Sequence, residues 1–200
     1  MSTAPQRVGR RERNKQEKLD RITAAARELF AEHGVDEVTT QQVAERADIG
    51  TGTLFLYAKT KGDLLLLAQN SSYADALERG RAAAEAAADT LEAVMAVVRP
   101  VVECNRKQVD NGRTYLREMV FGDPEEPNRR AALELAFQTE EAIAAALARD
   151  PRIESGTAPV LAHVVSAVMF LSMAAAVNID RSVEEVLQEI GDQVRTLLPR

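Results

Sequence analysis

Apolar residues recur along this chain at spacings of three and four, the period of a helix with one buried face. Leu19, Ile22, Ala26, Leu29 and Phe30 share one side of a segment over 14–33, which His33 and Gly34 close. Val43 and Ala47 mark the inner side of a second helix over 39–47. Asp48-Ile49-Gly50 then reads as a tight turn, and 51–57 as a short helix with Leu54 and Phe55 buried. A longer helix starts at Thr60 and runs to about Arg79, or on through the alanine-rich 82–88. Five more follow: 90–110 with Pro100 as a kink, 112–121, 128–149, 158–178 and 182–198. Prolines and short polar residues mark loops at 123–127 and 150–157. The pattern predicts an all-α chain of about nine helices.

The stretch Thr39–Lys61 is specified locally. Thr39 suits an N-cap, and Gln42 three residues on completes a capping box. Val38 and Val43 have hydrophobic-staple spacing, and Thr60 with Asp63 repeats the box at the next helix. Two short helices around a tight turn form a helix-turn-helix, whose second helix enters the major groove of DNA. The expected organisation is a basic arm at 1–13, a DNA-binding unit at 14–61 and a helical body at 62–200.

Charge sharpens this picture. The net charge of −6 opposes DNA binding, but its distribution does not. Residues 1–18 hold six basic residues (Arg7, Arg10, Arg11, Arg13, Lys15, Lys18) against Glu12 and Glu17. Residues 62–200 hold fourteen basic against twenty-two acidic residues. A basic end on an acidic body is expected where only that end meets phosphates. One cysteine, Cys104, precludes an intrachain disulfide, and residues 1–20 lack an apolar signal segment, so a cytoplasmic protein is expected. The uncharged run 155–179 reaches the length of a membrane span, but Pro159, His163, Ser166 and Ser172 interrupt it. A helix buried in a core or interface is expected there, with no membrane contact. No hydrolase, metalloprotease, redox or nucleotide-binding motif occurs, so neither an enzyme, a metal nor a cofactor is expected.

Arg21-Ile22, Ala25-Ala26, Leu29-Phe30, Gly34, Thr39-Thr40, Val43-Ala44, Ala47, Ile49, Gly52-Thr53-Leu54, Tyr57, Lys61 and Leu64-Leu65 together resemble the TetR family of bacterial transcriptional regulators. The resemblance covers about 20–65. It departs from the family at Asp48, where Gly is usual, and at Gly50, where Ser often caps the recognition helix. Phe55, Ala58 and Gly62 stand for a usual Tyr, Phe and acidic residue.

The resemblance implies a three-helix DNA-binding domain followed by a ligand-binding and dimerisation domain. It implies a homodimeric repressor, paired through 158–178 and 182–198, that reads a near-palindromic double-stranded DNA operator and is released by a small, largely apolar effector. Thr51, Thr53 and Leu56 are its candidates for base contacts. Thr40, Gln41, Tyr57, Lys59 and Lys61 are candidates for the backbone, with Arg10 and Arg11 reaching DNA from the arm. Met95, Cys104, Tyr115, Met119, Phe137, His163, Met169 and Phe170 are the candidate effector pocket, as adaptable apolar side chains with one polar group. The acidic body favours a neutral or cationic effector over a polyanion. A helical protein-interaction scaffold that does not bind DNA is the alternative.

Overall fold

A computed structural model describes residues 9–154 and 156–199. Nine α-helices run in order among the described residues: α1 Arg10–Glu37, α2 Thr40–Arg46, α3 Thr51–Leu54, α4 Lys61–Glu85, α5 Thr90–Arg106, α6 Val109–Phe121, α7 Pro127–Leu147, α8 Ala158–Ala174 and α9 Val183–Leu197. Both capping boxes form, at Thr39 with Gln42 and at Thr60 with Asp63, and a third fixes α9 at Ser182 with Glu185.

α1 to α3 make a small unit on the first turns of α4. Ile22, Phe30, Val38, Val43 and Leu54 close its interior. α4 then packs along α5 and α7, and α8 and α9 complete the body. One apolar core continues from Ile22 to Val194, so the two units share a packed junction. No helix among the described residues is long and apolar enough to cross a membrane.

Several expectations change. α1 starts at Arg10, because nothing after Gly9 breaks a helix, so residues 10–13 are not an arm; residues 1–8 lie outside the described ones. α1 breaks at Gly34, where φ is 78°, and the turn beyond it reaches Glu37. α3 spans four residues rather than seven. Pro100 sits inside α5 without ending it. α5 stops at Arg106 because Gln108 caps the next helix, accepting from the Asn111 N–H. α8 ends at Ala174 and a 3₁₀ turn, Ala176–Asn178, follows. The buried Arg106 guanidinium holds that turn, donating to the carbonyls of Asn178 and Arg181 at 2.7 Å each.

Candidate nucleic-acid interface

The turn between α2 and α3 is built on a left-handed residue. Asp48 has φ of 53°, a conformation that Asp and Asn reach more cheaply than other non-glycine residues. Its carboxylate lies 3.4 Å from Arg21 on α1, so the negative charge that departs from the family pattern has a cation beside it. Gly50 caps α3 through its backbone alone: the N–H groups of Thr53 and Leu54 donate to its carbonyl. The chain then closes tightly, with the Tyr57 and Ala58 N–H groups donating to the Leu54 carbonyl.

This geometry turns one face outwards. Leu54 is buried, whereas Leu56 is 83% exposed and Phe55 45% exposed. Burial of Phe55 was expected from a seven-residue helix, and the early end of α3 swings it into water instead. Thr51 and Thr53 are half-buried at the edge of that face. Thr40 is half-buried on the first turn of α2, while Gln41 is exposed and donates to Glu45 at 2.9 Å. Lys59 is exposed and pairs with no carboxylate among the described residues. Tyr57 and Lys61 are engaged within the unit. The Tyr57 hydroxyl donates to the Lys15 carbonyl at 3.4 Å, and Lys61 Nζ donates to the Asp36 carbonyl at 3.0 Å. The first contact aligns the opening turns of α1, with exposed Arg10 and Arg11, beside the end of α3.

Residues 22–68 match the description "Bacterial regulatory proteins, tetR family". The N-terminal unit thus carries the TetR-family sequence pattern. The rest of the chain carries the fold of TetR-family regulators. It superposes on the Thermus thermophilus FadR, a TetR-family transcriptional repressor solved with lauroyl-CoA, with a TM-score of 0.69 at 22% identity over 91% of this chain and 96% of that one. A TetR regulator from Rhodococcus sp. RHA1 gives 0.71 at 17% identity over 92% and 97%. Bacillus subtilis FadR, solved with stearoyl-CoA, gives 0.66 at 15% over 90% and 99%. No curated protein matches the chain.

The candidate effector residues are spread over the body, with Cys104 and Tyr115 near one another. Phe137 is 56% exposed on α7, and His163 is exposed on α8, where Nδ1 lies 3.1 Å from Glu140. The partner expected of a histidine amid apolar residues is thus a surface carboxylate. Met95 packs against Gly191 of α9, and Met169 is buried in α8. Met119 is buried in α6. Phe170 borders a separate hollow with Arg113 and Phe121. Tyr115 is fully buried, stacks on Tyr73 with ring centroids 6.2 Å apart, and donates to Asn70. Burial pushes the Tyr73 hydroxyl up to about 12 against the lowering effect of its hydrogen bond with Thr139. Cys104 alone lines a cleft facing the DNA-binding unit.

Polar residues that the sequence did not single out join the two units. The Asn111 side chain accepts from the Val35 N–H at 2.6 Å and donates to the Phe30 carbonyl at 2.7 Å, so it satisfies backbone groups on both sides of the α1 break. Asn128 on α7 donates to the Tyr57 carbonyl and accepts from Asn70, which in turn accepts from Tyr115. Glu118 of α6 lies over the start of α4, where a Cβ on Gly62 would approach its Oε2 to 3.0 Å. A side chain at 62 would have to displace that carboxylate. The only signal in the sequence was Gly34 itself, whose partners lie far along the chain.

Proposed function

We propose that this chain is a ligand-responsive transcriptional repressor of the cytoplasm that binds a near-palindromic operator as a homodimer. The observation that carries the reading is the outward face of α3. Leu56 and Phe55 stand in water just past the end of this four-residue helix, beside the hydroxyls of Thr51 and Thr53. Such a face suits base edges and thymine methyls in a major groove. Thr40, Gln41 and Lys59, with Arg10 and Arg11 on the first turn of α1, would hold the backbone on either side. Lys61 has two ammonium protons left for a phosphate, whereas Tyr57 acts as an anchor of α1.

One such helix makes few contacts, so two copies are needed. The dimer seam we propose uses α8, as expected, but with α7 rather than α9. The outer side of α9 presents Glu184, Glu185, Gln188, Asp192 and Gln193. Leu133, Phe137, Val160, Val164 and Leu171 are exposed on α7 and α8 instead. Glu140 opposite His163 sets the antiparallel register of these helices and brings Leu133 level with Leu171, which makes one stripe of them. A self-complementary apolar stripe suits a two-fold interface.

The proposed effector combines an apolar body with a binding mode that alters how α1 to α3 sit on the body. Two structures of this fold hold acyl-CoA thioesters, which supports an acyl-bearing compound. An electrophoretic shift assay on random genomic fragments tests the reading. Binding to a subset of fragments, weakening steeply between 50 and 200 mM salt at about tenfold or more, is expected. Absence of salt-sensitive binding to any fragment would leave the interaction scaffold as the better account.

A further inference from the structure

Between α1, α4 and the α5–α6 turn lies a cleft of about 330 Å³. Phe30, Leu65 and Ala68 form its apolar floor, with Cys104 beside them. Three cations from three elements stand around it: Arg27 of α1, Arg79 of α4 and Lys107 after α5. None forms an ion pair with a carboxylate among the described residues. Arg27 donates to the Ser71 hydroxyl and Arg79 to the Asp75 carbonyl, both neutral acceptors. Asp75 is the one acid among the lining residues. All four charges act on the thiol: burial pushes Cys104 up, Arg79, Lys107 and Arg27 pull it down, and Asp75 pushes it up in turn. Three cations against one carboxylate leave an excess of positive charge over an apolar floor, and like charges held together are unfavourable until a further anion offsets them.

We propose that this cleft binds a small oxyanion, a carboxylate or phosphate carried on a short apolar body, and that its occupancy sets the angle between the DNA-binding unit and the body. The cleft walls lead directly to that joint. Gln108 lines it, and its Nε2 sits where a Cβ on Gly34 would come within 2.8 Å. Asn111 also lines it and holds both sides of the α1 break. An anion drawn between Arg27 and Lys107 therefore pulls on α1 and on the start of α6 together. Such a ligand shifts the protein between two settings of the joint by its differential affinity for them. The regulatory half of this inference rests on the repressor reading; the binding half does not. It also revises the expectation of a neutral or cationic effector, which came from overall charge and not from local placement.

Titration calorimetry on the full chain without DNA tests the binding half. The probes are octanoate, octyl phosphate, octanol and inorganic phosphate, below micellar concentrations. The octyl anions should bind about tenfold tighter than octanol, and whichever of the two binds tighter identifies the headgroup. Arg79→Gln with Lys107→Gln should remove that advantage and leave octanol unchanged; both residues are exposed, so the core is untouched. Equal affinity for octanol and the anions, or anion binding that survives the double substitution, overturns the proposal. Binding of inorganic phosphate as tight as octyl phosphate removes the role of the apolar floor and overturns that part. A chain that binds the anions through these cations but shifts no DNA leaves the site standing and sinks the repressor reading.

Discussion

The outer face of α3 and the outer face of α7 and α8 both leave large apolar side chains in water. At the end of α3 there are two, Phe55 and Leu56, set near Gly50, Gly52 and two threonines, with exposed cations at the start of α1 nearby. On α7 and α8 there are five, aligned along two long helices. The first face is small and held rigidly by caps within a few residues of it. The second is broad and has no local device to fix a partner beyond its own register. A short face beside cations suits a charged groove, where backbone phosphates supply affinity and a few side chains supply choice. A long apolar stripe needs another apolar surface, and the surface always available in solution is its own copy. The exposed side of α9, crowded with carboxylates, shows what a solvated face of this body looks like.

The comparison can be broken first at the seam. Val164→Glu with Leu171→Glu should convert the dimer to a monomer in sedimentation velocity and lower operator affinity by about a thousandfold, because two linked half-sites become independent. A dimer that survives would move the seam elsewhere. The next effect lies at the joint between the regions. Asn111→Ala strands the buried Val35 N–H and Phe30 carbonyl and should cost about 2–4 kcal/mol in urea unfolding. A loss below about 1 kcal/mol would mean that water replaces the amide and that the joint is not held there. Within the DNA-binding unit, Thr39→Ala removes one half of a capping box, and about 1 kcal/mol should be lost. The smallest effect is expected at Asp48→Asn. Asn keeps the left-handed turn and gives up only an exposed pair with Arg21, so stability should change by less than about 0.5 kcal/mol.

The same contrast explains which parts were legible in the sequence. Thr39 with Gln42 and Thr60 with Asp63 act over three residues, so their boxes could be read directly, and the helices they start were placed within a residue. Leu54 followed from helical period. Phe55 did not, because one turn of α3 gives no period to count and the backbone closes on the Leu54 carbonyl. Arg10 and Arg11 read as part of an arm because polar composition marks solvent exposure but not backbone conformation, and the backbone there is helical. In the body, residue type limits a side chain to the interior without naming which seam it joins. Met95, Tyr115, Met169 and Phe170 are alike in type but sit at different places in the body, against α9, in the core and beside the hollow at Phe121. His163 and Phe137 read as pocket residues on the same ground, and both are exposed, on the face that we propose as the seam. Asn111 was invisible for a different reason. Its role exists only because α1 breaks at Gly34, and its two partners are 76 and 81 residues away.

Hydroxyl-radical footprinting of the full chain on a fragment recovered by the shift assay tests the central claim most directly. Two symmetric protected patches should appear on one side of the duplex, their centres about 34–36 Å apart or a whole number of turns more. Loss of protection in both patches together is expected when Leu56→Ala is combined with Thr53→Ala. A single patch, or protection that ignores both α3 substitutions, would contradict a dimer that reads DNA with the outer face of α3.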